Sequence, residues 1–214
     1  MRTLSLITGI LFIVLLLCSG YSVSAAEAKP DNIKAVQIYN LAVDEANAGN
    51  YSQAENLTSQ ALAIQPNFTL ALVTRASVLM NMRNLTGAEE ALNKAIAIDP
   101  NDSSVLATMA SYNLEKGENH DAITYASKAL AADPTLIEAW IIKGTAHGSL
   151  GDYDEELNAS EQALALDPAN KLALSNKAYA SGMKNQGKKT PMSIPISIFA
   201  MLMGIILIVN QRKV

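Results

Sequence analysis

The sequence predicts an all-α protein: a superhelical solenoid of helix–turn–helix units, followed by one transmembrane helix. Three observations predict this fold: a proline that recurs every 34 residues, two helical patterns within each interval, and a long apolar stretch near the C-terminus. Half of the 214 residues are apolar and 17% are charged, whereas soluble domains usually carry about 25% charged residues. Such an apolar composition excludes intrinsic disorder of the whole chain.

Residues 1–26 are typical of a secretory signal peptide. An apolar run over 4–17 is short for a membrane span but suits a signal core, and small residues follow it. We expect cleavage after Ala25 or Ala26, and an uncleaved anchor is the alternative. Leucine precedes the single cysteine, Cys18, where a lipoprotein signal has a small residue, so lipidation is not expected. One cysteine also excludes an internal disulfide framework. A linker, 27–34, is expected next.

The middle of the chain is a fourfold repeat. Its units span residues 35–68, 69–102, 103–136 and 137–170, and their prolines are Pro66, Pro100, Pro134 and Pro168. Self-similarity at a fixed period is the signature of a solenoid. A turn divides each unit into two helices, with a glycine after the first helix in three units. Ser52, Thr86 and Asp154 are the expected N-caps of second helices.

A 34-residue helix–turn–helix unit with this pattern resembles the tetratricopeptide repeat. The small residues of that motif recur as Ala42, Ala76, Ala110 and Gly144 on first helices and as Ala54, Ala88 and Ala122 on second helices. Three residues depart from it: Glu156 replaces an alanine, and Thr58 and Ser160 replace large apolar residues. Residues 171–184 match a lone first helix, the capping helix that such arrays need, and a linker, 185–191, follows.

Residues 192–209 predict a transmembrane helix. No charge interrupts these 18 residues, which as a helix would span about 27 Å of a hydrocarbon core of roughly 30 Å. A short basic tail, 210–214, follows. The order of the segments, a signal peptide, then the repeats, then a stop-transfer segment, places the repeats outside the cytoplasmic membrane.

The C-terminal tail also resembles the sorting signals of archaeal surface proteins. The likeness rests on Thr190-Pro191, the apolar helix and the basic end. It implies that the tail is removed in exchange for a lipid. A permanent protein anchor is the alternative, and we prefer it.

The charge distribution argues against nucleic-acid binding. All 20 acidic residues lie between Glu27 and Asp167, whereas only eight basic residues lie within 27–170, which leaves this stretch at −12. Affinity for nucleic acid depends on neutralising phosphates with lysine and arginine. A nucleic-acid partner is therefore not expected.

The resemblance implies a concave groove, lined by first helices, that holds a peptide or helix of a partner protein. The candidate groove residues are Tyr39, Val43, Leu70, Val73, Ser77, Met80, Asn81, Ala107, Ser111, Leu114, Ile141 and Thr145, with Leu172, Ser175 and Tyr179 on the capping helix. The alternative is that several of them only pack against the next helix. The residues of the carboxylate clamp known from chaperone-binding members are absent, so an apolar or basic segment is expected rather than an acidic tail.

Six Asn-x-Ser/Thr sequons indicate a glycosylated ectodomain. They begin at Asn50, Asn56, Asn67, Asn84, Asn101 and Asn158. For four of them there is an alternative, because the asparagine suits a turn and the hydroxyl suits a helix cap. Asn56 and Asn158, on the outer face of second helices, lack that explanation.

No catalytic constellation is evident. The acidic group Asp152, Asp154, Glu155 and Glu156 lacks the glycine and distal glutamate of a calcium loop, and acids at a helix start are favoured by the helix dipole. We expect no enzymatic activity, metal, cofactor or small-molecule substrate. The sequence predicts a membrane-anchored interaction scaffold, and the alternative is a self-associating structural component of the cell envelope.

Overall fold

The computed structural model describes residues 30–187, which form antiparallel pairs of α-helices. The helices of this range are α1 Pro30–Asn47, α2 Tyr51–Ile64, α3 Thr69–Asn81, α4 Leu85–Ile98, α5 Ser103–Lys116, α6 Asn119–Ala132, α7 Ile137–Leu150, α8 Tyr153–Leu166 and α9 Lys171–Gly187. Odd-numbered helices are the first helices of the four units, even-numbered helices are the second, and α9 stands alone. The predicted helical solenoid is confirmed over this range.

The two sets of helices form two layers. Each odd-numbered helix packs against the next odd-numbered helix, and each even-numbered helix packs between two odd-numbered ones. No two even-numbered helices of residues 30–187 pack against each other. The first helices therefore lie closer to one another than the second helices do. A stack of this kind curves, and the layer with the closer spacing lies on its concave side.

The turn within each unit has one backbone geometry. The first or second residue after each first helix has a positive φ: 80° at Gly49, 61° at Arg83, 79° at Gly117 and 83° at Gly151. The next N–H donates back to a carbonyl of the first helix, as from Asn84 N to Leu79 O at 2.9 Å. The second helix then begins at once, so the predicted N-caps Ser52, Thr86 and Asp154 are wrong. Asn50, Asn84 and Asp152 occupy those positions.

The repeated prolines mark the ends of the second helices. Each of these helices ends two residues before its proline, at Ile64, Ile98, Ala132 and Leu166. Proline has no N–H and disfavours the α conformation of the residue before it. In three units that residue is an aspartate whose carboxylate accepts a backbone N–H two residues on, as Asp133 does from Thr135 at 2.9 Å. A hydrogen bond from the Thr135 hydroxyl, at 2.7 Å, together with the bond from its backbone N–H, holds the pKa of Asp133 below its usual value.

Small residues bring the helices together as the pattern predicts. Ala42, Ala76, Ala110, Ala54, Ala88 and Ala122 are completely buried. Thr58 and Ser160 are also buried, although large apolar residues are usual there. Their hydroxyls donate to carbonyls of their own helices, Glu55 O at 2.8 Å and Glu156 O at 2.7 Å. A polar side chain is accommodated in the core because its hydrogen bond is made.

The ends of the array extend beyond the expected bounds. α1 begins at Pro30, within the expected linker 27–34, and α9 continues to Gly187, past residue 184 and into the expected linker 185–191. Within Pro30–Gly187 no helix has the length and apolarity that crossing a membrane requires. The predicted signal peptide, 1–26, transmembrane helix, 192–209, and basic tail, 210–214, lie outside the described residues.

Candidate interaction groove

Two contiguous cavities lie along the layer of first helices. A cavity of about 350 Å³ between α1 and α3 is lined by Tyr39, Val43, Ala46, Asn47, Tyr51, Val73, Thr74, Ser77, Val78 and Asn81. A second cavity, of about 410 Å³, is lined by Ser77, Met80, Asn81, Arg83, Ser111, Glu115 and Glu138. Ser77 and Asn81 line both cavities, so the two form one groove. We call the first its apolar half and the second its polar half.

Seven of the twelve groove residues predicted for the four units line these cavities. They are Tyr39, Val43, Val73, Ser77, Met80, Asn81 and Ser111. Leu70, Leu114, Ile141 and Thr145 line neither cavity. Leu114 packs against the buried residues Ala110, Ala126 and Ile142, which gives it a core role.

Ala107 is a clear correction. It is only 2% exposed and belongs to a buried cluster with Leu106, Ala129, Leu130 and Ala139. Its short side chain lies beneath the helix that packs on it, so it cannot contact a ligand. Helical periodicity identifies the face on which a residue lies, but not how deeply its neighbours cover it.

Thr145 contributes to the packing between helices. Its hydroxyl donates to Ile141 O at 2.9 Å and accepts from Asn176 Nδ2 of α9, also at 2.9 Å. Of the predicted residues on α9, Leu172 and Tyr179 are 63% and 53% exposed. Tyr179 lies edge-on to Tyr153 of α8, with ring centroids 6.0 Å apart.

The charged residues of the polar half were missed by sequence reasoning. Arg83 lies in a turn, and Glu115 and Glu138 lie near helix ends, so a pattern drawn along the middle of first helices omits them. One signal was available: Arg83 stands where the other three units have glycine.

Arg83 bridges two units across the groove rim. Its Nη1 pairs with Glu115 Oε1 of α5, and its own side chain is 80% exposed. Its backbone is in the left-handed region, with φ of 61°, which costs a non-glycine residue roughly 1–2 kcal/mol. Strained residues of this kind persist where other contacts compensate for the cost, and they are concentrated at functional sites.

Ser77 and Asn81, which the two halves share, offer hydrogen-bond acceptors to a ligand. The Ser77 hydroxyl donates its proton to Val73 O at 3.2 Å, and Asn81 Nδ2 donates to Ser77 O at 2.9 Å. The Ser77 hydroxyl oxygen and the Asn81 side-chain carbonyl remain as acceptors. Beside them, Glu138 is exposed, and within residues 30–187 no lysine or arginine pairs with it.

The apolar half is held in place by an aromatic contact. The rings of Tyr39 in α1 and Phe68 lie 4.9 Å apart, and Thr74 Oγ1 is 3.5 Å from the Tyr39 hydroxyl. Val43 and Val73 are half-buried beside them. This half therefore presents a preformed apolar surface that remains partly open to solvent.

The acidic group of the fourth unit is not a shared site. Asp154 pairs with Lys184 of α9, whereas Glu156 is buried between α7 and α8. In the described range no three His, Cys, Asp or Glu residues lie together as a metal site would require. Asp152 lies beside another group again, since its Oδ2 is 3.5 Å from His147 Nδ1.

The predicted glycosylation sites have different environments. Asn50 Nδ2 donates to Glu45 Oε2 at 2.7 Å, and Asn84 Oδ1 caps α4 by accepting from Gly87 N. Asn67 and Asn101 are exposed in the loops between units. Asn56 and Asn158 are exposed on second helices, but the hydroxyl residues of their sequons are buried. Glycosylation stays a prediction.

Comparison with protein-family models identifies the repeat. Residues 46–112 match one model of the tetratricopeptide repeat, and residues 137–170 match a second. These two stretches of the array are therefore tetratricopeptide repeats. Arrays of these repeats generally use their extended concave surfaces for binding, and tetratricopeptide-repeat proteins generally act as protein–protein interaction scaffolds.

Solved structures with the same fold are similar to the array. One from a study of Pseudomonas aeruginosa PilF has 19% identity and a TM-score of 0.67, over 74% of this chain and 72% of that one. A thermophilic tetratricopeptide-repeat protein of Thermus thermophilus has 18% identity and a TM-score of 0.63, over 77% and 95%. MamA has 20% identity and a TM-score of 0.57, over 71% and 82%. No curated protein sequence matches the chain. At these identities the likeness concerns the fold alone.

Proposed function

We propose that this protein is a membrane-anchored scaffold that holds a segment of another protein in the groove of its tetratricopeptide repeats. The observation that carries the proposal is the continuity of the two cavities through Ser77 and Asn81. Together they run from α1 across α3 and α5 to α7, so the groove is lined by the first helices of all four units.

The chemistry of the groove lining supports binding without catalysis. The lining residues supply hydroxyls, amides, a thioether, carboxylates and one guanidinium. They include no histidine, cysteine or lysine. Nucleophilic catalysis needs a nucleophile within reach of a base. The proposed role therefore includes no reaction.

The proposed location is the outer face of the cytoplasmic membrane. It is supported by the amino-acid sequence of residues 1–26 and 192–209, with their signal-like and span-like apolar runs. Exposed sequon asparagines, such as Asn67 and Asn101, would be glycosylated there.

Crosslinking of intact cells with a membrane-impermeant, amine-reactive reagent tests both parts of the proposal. Lys94 and Lys128 are exposed and should be modified, and one or a few other proteins should be captured in steady yield. Asn81→Lys, on an exposed residue shared by both halves, should abolish capture. Asn93→Lys, with the same change on α4, should leave it intact. Unmodified Lys94 and Lys128 would refute the location, and equal capture by both variants would refute the groove.

Exposed apolar residues at the end of the array favour a second candidate function, self-association. Leu172, Leu174 and Tyr179 of α9 are about half exposed or more, and Ala178 is exposed although its equivalents in other units are buried. A second copy could cover this face. Sedimentation of the full chain in detergent distinguishes the candidates: Leu174→Lys should dissociate a dimer formed through α9, and Asn81→Lys should not.

A further inference from the structure

We infer that the groove selects a partner segment that carries a large apolar side chain at one end and a lysine or arginine at the other. The apolar side chain lies in the apolar half between α1 and α3. The basic side chain lies in the polar half against Glu138 of α7. This inference rests on the proposed function, because it specifies the chemistry of the segment that the groove holds.

The asymmetry of the groove determines the order of the two side chains. Six of the ten residues that line the apolar half are aliphatic or aromatic, and none of the ten is charged. All three charged residues of the groove, Arg83, Glu115 and Glu138, lie in the other half. A segment with its charge at the wrong end would place that charge against Val43 and Val73, where it would lose water without gaining a partner.

The sign of the charge follows from the pairing within the polar half. Arg83 and Glu115 neutralise each other, which leaves the exposed carboxylate of Glu138 without a basic partner among the described residues. The acceptors of Ser77 and Asn81 likewise suit a donor-rich ammonium or guanidinium group. An acidic side chain of a ligand could pair with Arg83 only by competing with Glu115. It would also approach the like-charged Glu138.

The charge of the four repeat units acts in the same direction. The stretch 27–170 carries −12, a field that speeds the approach of a basic segment and slows that of an acidic one. The field alone would favour any basic sequence. The apolar half adds the requirement for an apolar side chain at a fixed distance, and this requirement separates specific binding from general attraction.

Selection from a phage-displayed library of random dodecapeptides tests the inference on the full chain in detergent micelles. Bound peptides should be enriched in sequences that pair a large apolar residue with lysine or arginine at a constant separation. Their affinity should fall with added salt, because exposed charges are screened.

Charge variants identify the residue responsible. Glu138→Lys should weaken the selected basic peptides about tenfold, and Glu138→Gln should weaken them less. Glu155→Lys is the matched control, since Glu155 is an exposed acid in the first turn of α8 just as Glu138 is in the first turn of α7. It should leave affinity nearly unchanged. Circular dichroism of each variant verifies the helical fold.

The outcomes separate this inference from the proposed function. Selected peptides without basic residues, or equal effects of Glu138→Lys and Glu155→Lys, would overturn the inference. If Asn81→Lys still abolished binding of those peptides, the groove would remain the binding site. If no peptide bound and Asn81→Lys left partner capture on cells unchanged, both would be overturned.

Discussion

The carboxyl group of Glu156 in α8 fills the space beside Gly148 in α7. A Cβ on residue 148 would lie 2.5 Å from the carboxyl carbon of Glu156. Glu156 is 3% exposed, and its Oε2 has no hydrogen-bond partner within the described range. The corresponding residue of the other units is a completely buried alanine, such as Ala122. The fourth unit therefore buries a carboxyl group where the others bury a methyl group, and a glycine makes room for it.

This buried carboxyl should make the stability of the array depend on pH. Burial raises the pKa of Glu156 above its ordinary 4.5, so the folded protein holds the proton more tightly than the unfolded chain does. The stability that protonation contributes is complete below pH 4.5 and is lost as pH rises through the folded-state pKa. Relative to Glu156→Gln, the wild type should therefore lose free energy of unfolding as pH increases, as measured by urea denaturation at several pH values. The control is Glu155→Gln, at an exposed neighbouring residue, whose free energy of unfolding should not diverge from that of the wild type in this way. Parallel curves of unfolding free energy against pH for the wild type and Glu156→Gln would refute the assignment.

Residues 148 and 156 should be coupled in a double-mutant cycle. Gly148→Ala alone places a methyl group against the buried carboxyl and should destabilise the protein by about 1–3 kcal/mol, as overpacking does. In a Glu156→Ala background those closest contacts are gone, and the same substitution gains the helix propensity of alanine, about 1 kcal/mol. The coupling free energy between the two sites should therefore be about 2–4 kcal/mol in favour of the double variant, at or above the upper end of the usual range for residues in contact. Additive effects in chemical denaturation would show that the two side chains do not share this space.

The turn at residue 83 should be more stable with glycine than with alanine. Arg83→Gly and Arg83→Ala both remove the exposed pair with Glu115, worth less than about 1 kcal/mol, but only alanine keeps a side chain at φ of 61°. The glycine variant should exceed the alanine variant by about 1 kcal/mol in free energy of unfolding. Gly117→Ala is the converse control: φ there is 79° with no atom within 4 Å of a new Cβ, so it should cost about the same amount through the backbone alone. Equal stability of the two Arg83 variants would contradict the strain.

The proline period and the small residues were sufficient to predict the helices and their packing. They act locally, because Pro66 ends α2 whatever surrounds it and Ala76 admits a neighbouring helix by its size alone. The groove was only partly predictable. Ala107 and Ser111 lie one turn apart on α5, yet only Ser111 lines the groove, because α7 covers Ala107. Such coverage depends on how successive units stack, which no single unit encodes.

The bond between Asn176 and Thr145 should determine how firmly α9 caps the array. Asn176 Nδ2 donates to Thr145 Oγ1 at 2.9 Å and so joins α9 to α7. Lys177 of α9 also pairs with Glu161 of α8, at 3.0 Å, through side chains that are 43% and 52% exposed, and an exposed pair of this kind contributes little. Asn176→Ala should lower the free energy of local opening of α9 by about 1 kcal/mol, the net value of one hydrogen bond. Amide hydrogen exchange across 171–187 should then accelerate about fivefold while α3 and α5 keep their protection, since an end helix opens on its own.

Ser175→Ala, at an exposed neighbour, should leave exchange unchanged. Acceleration in both variants would mean that α9 responds to any substitution and that the bond has no special role.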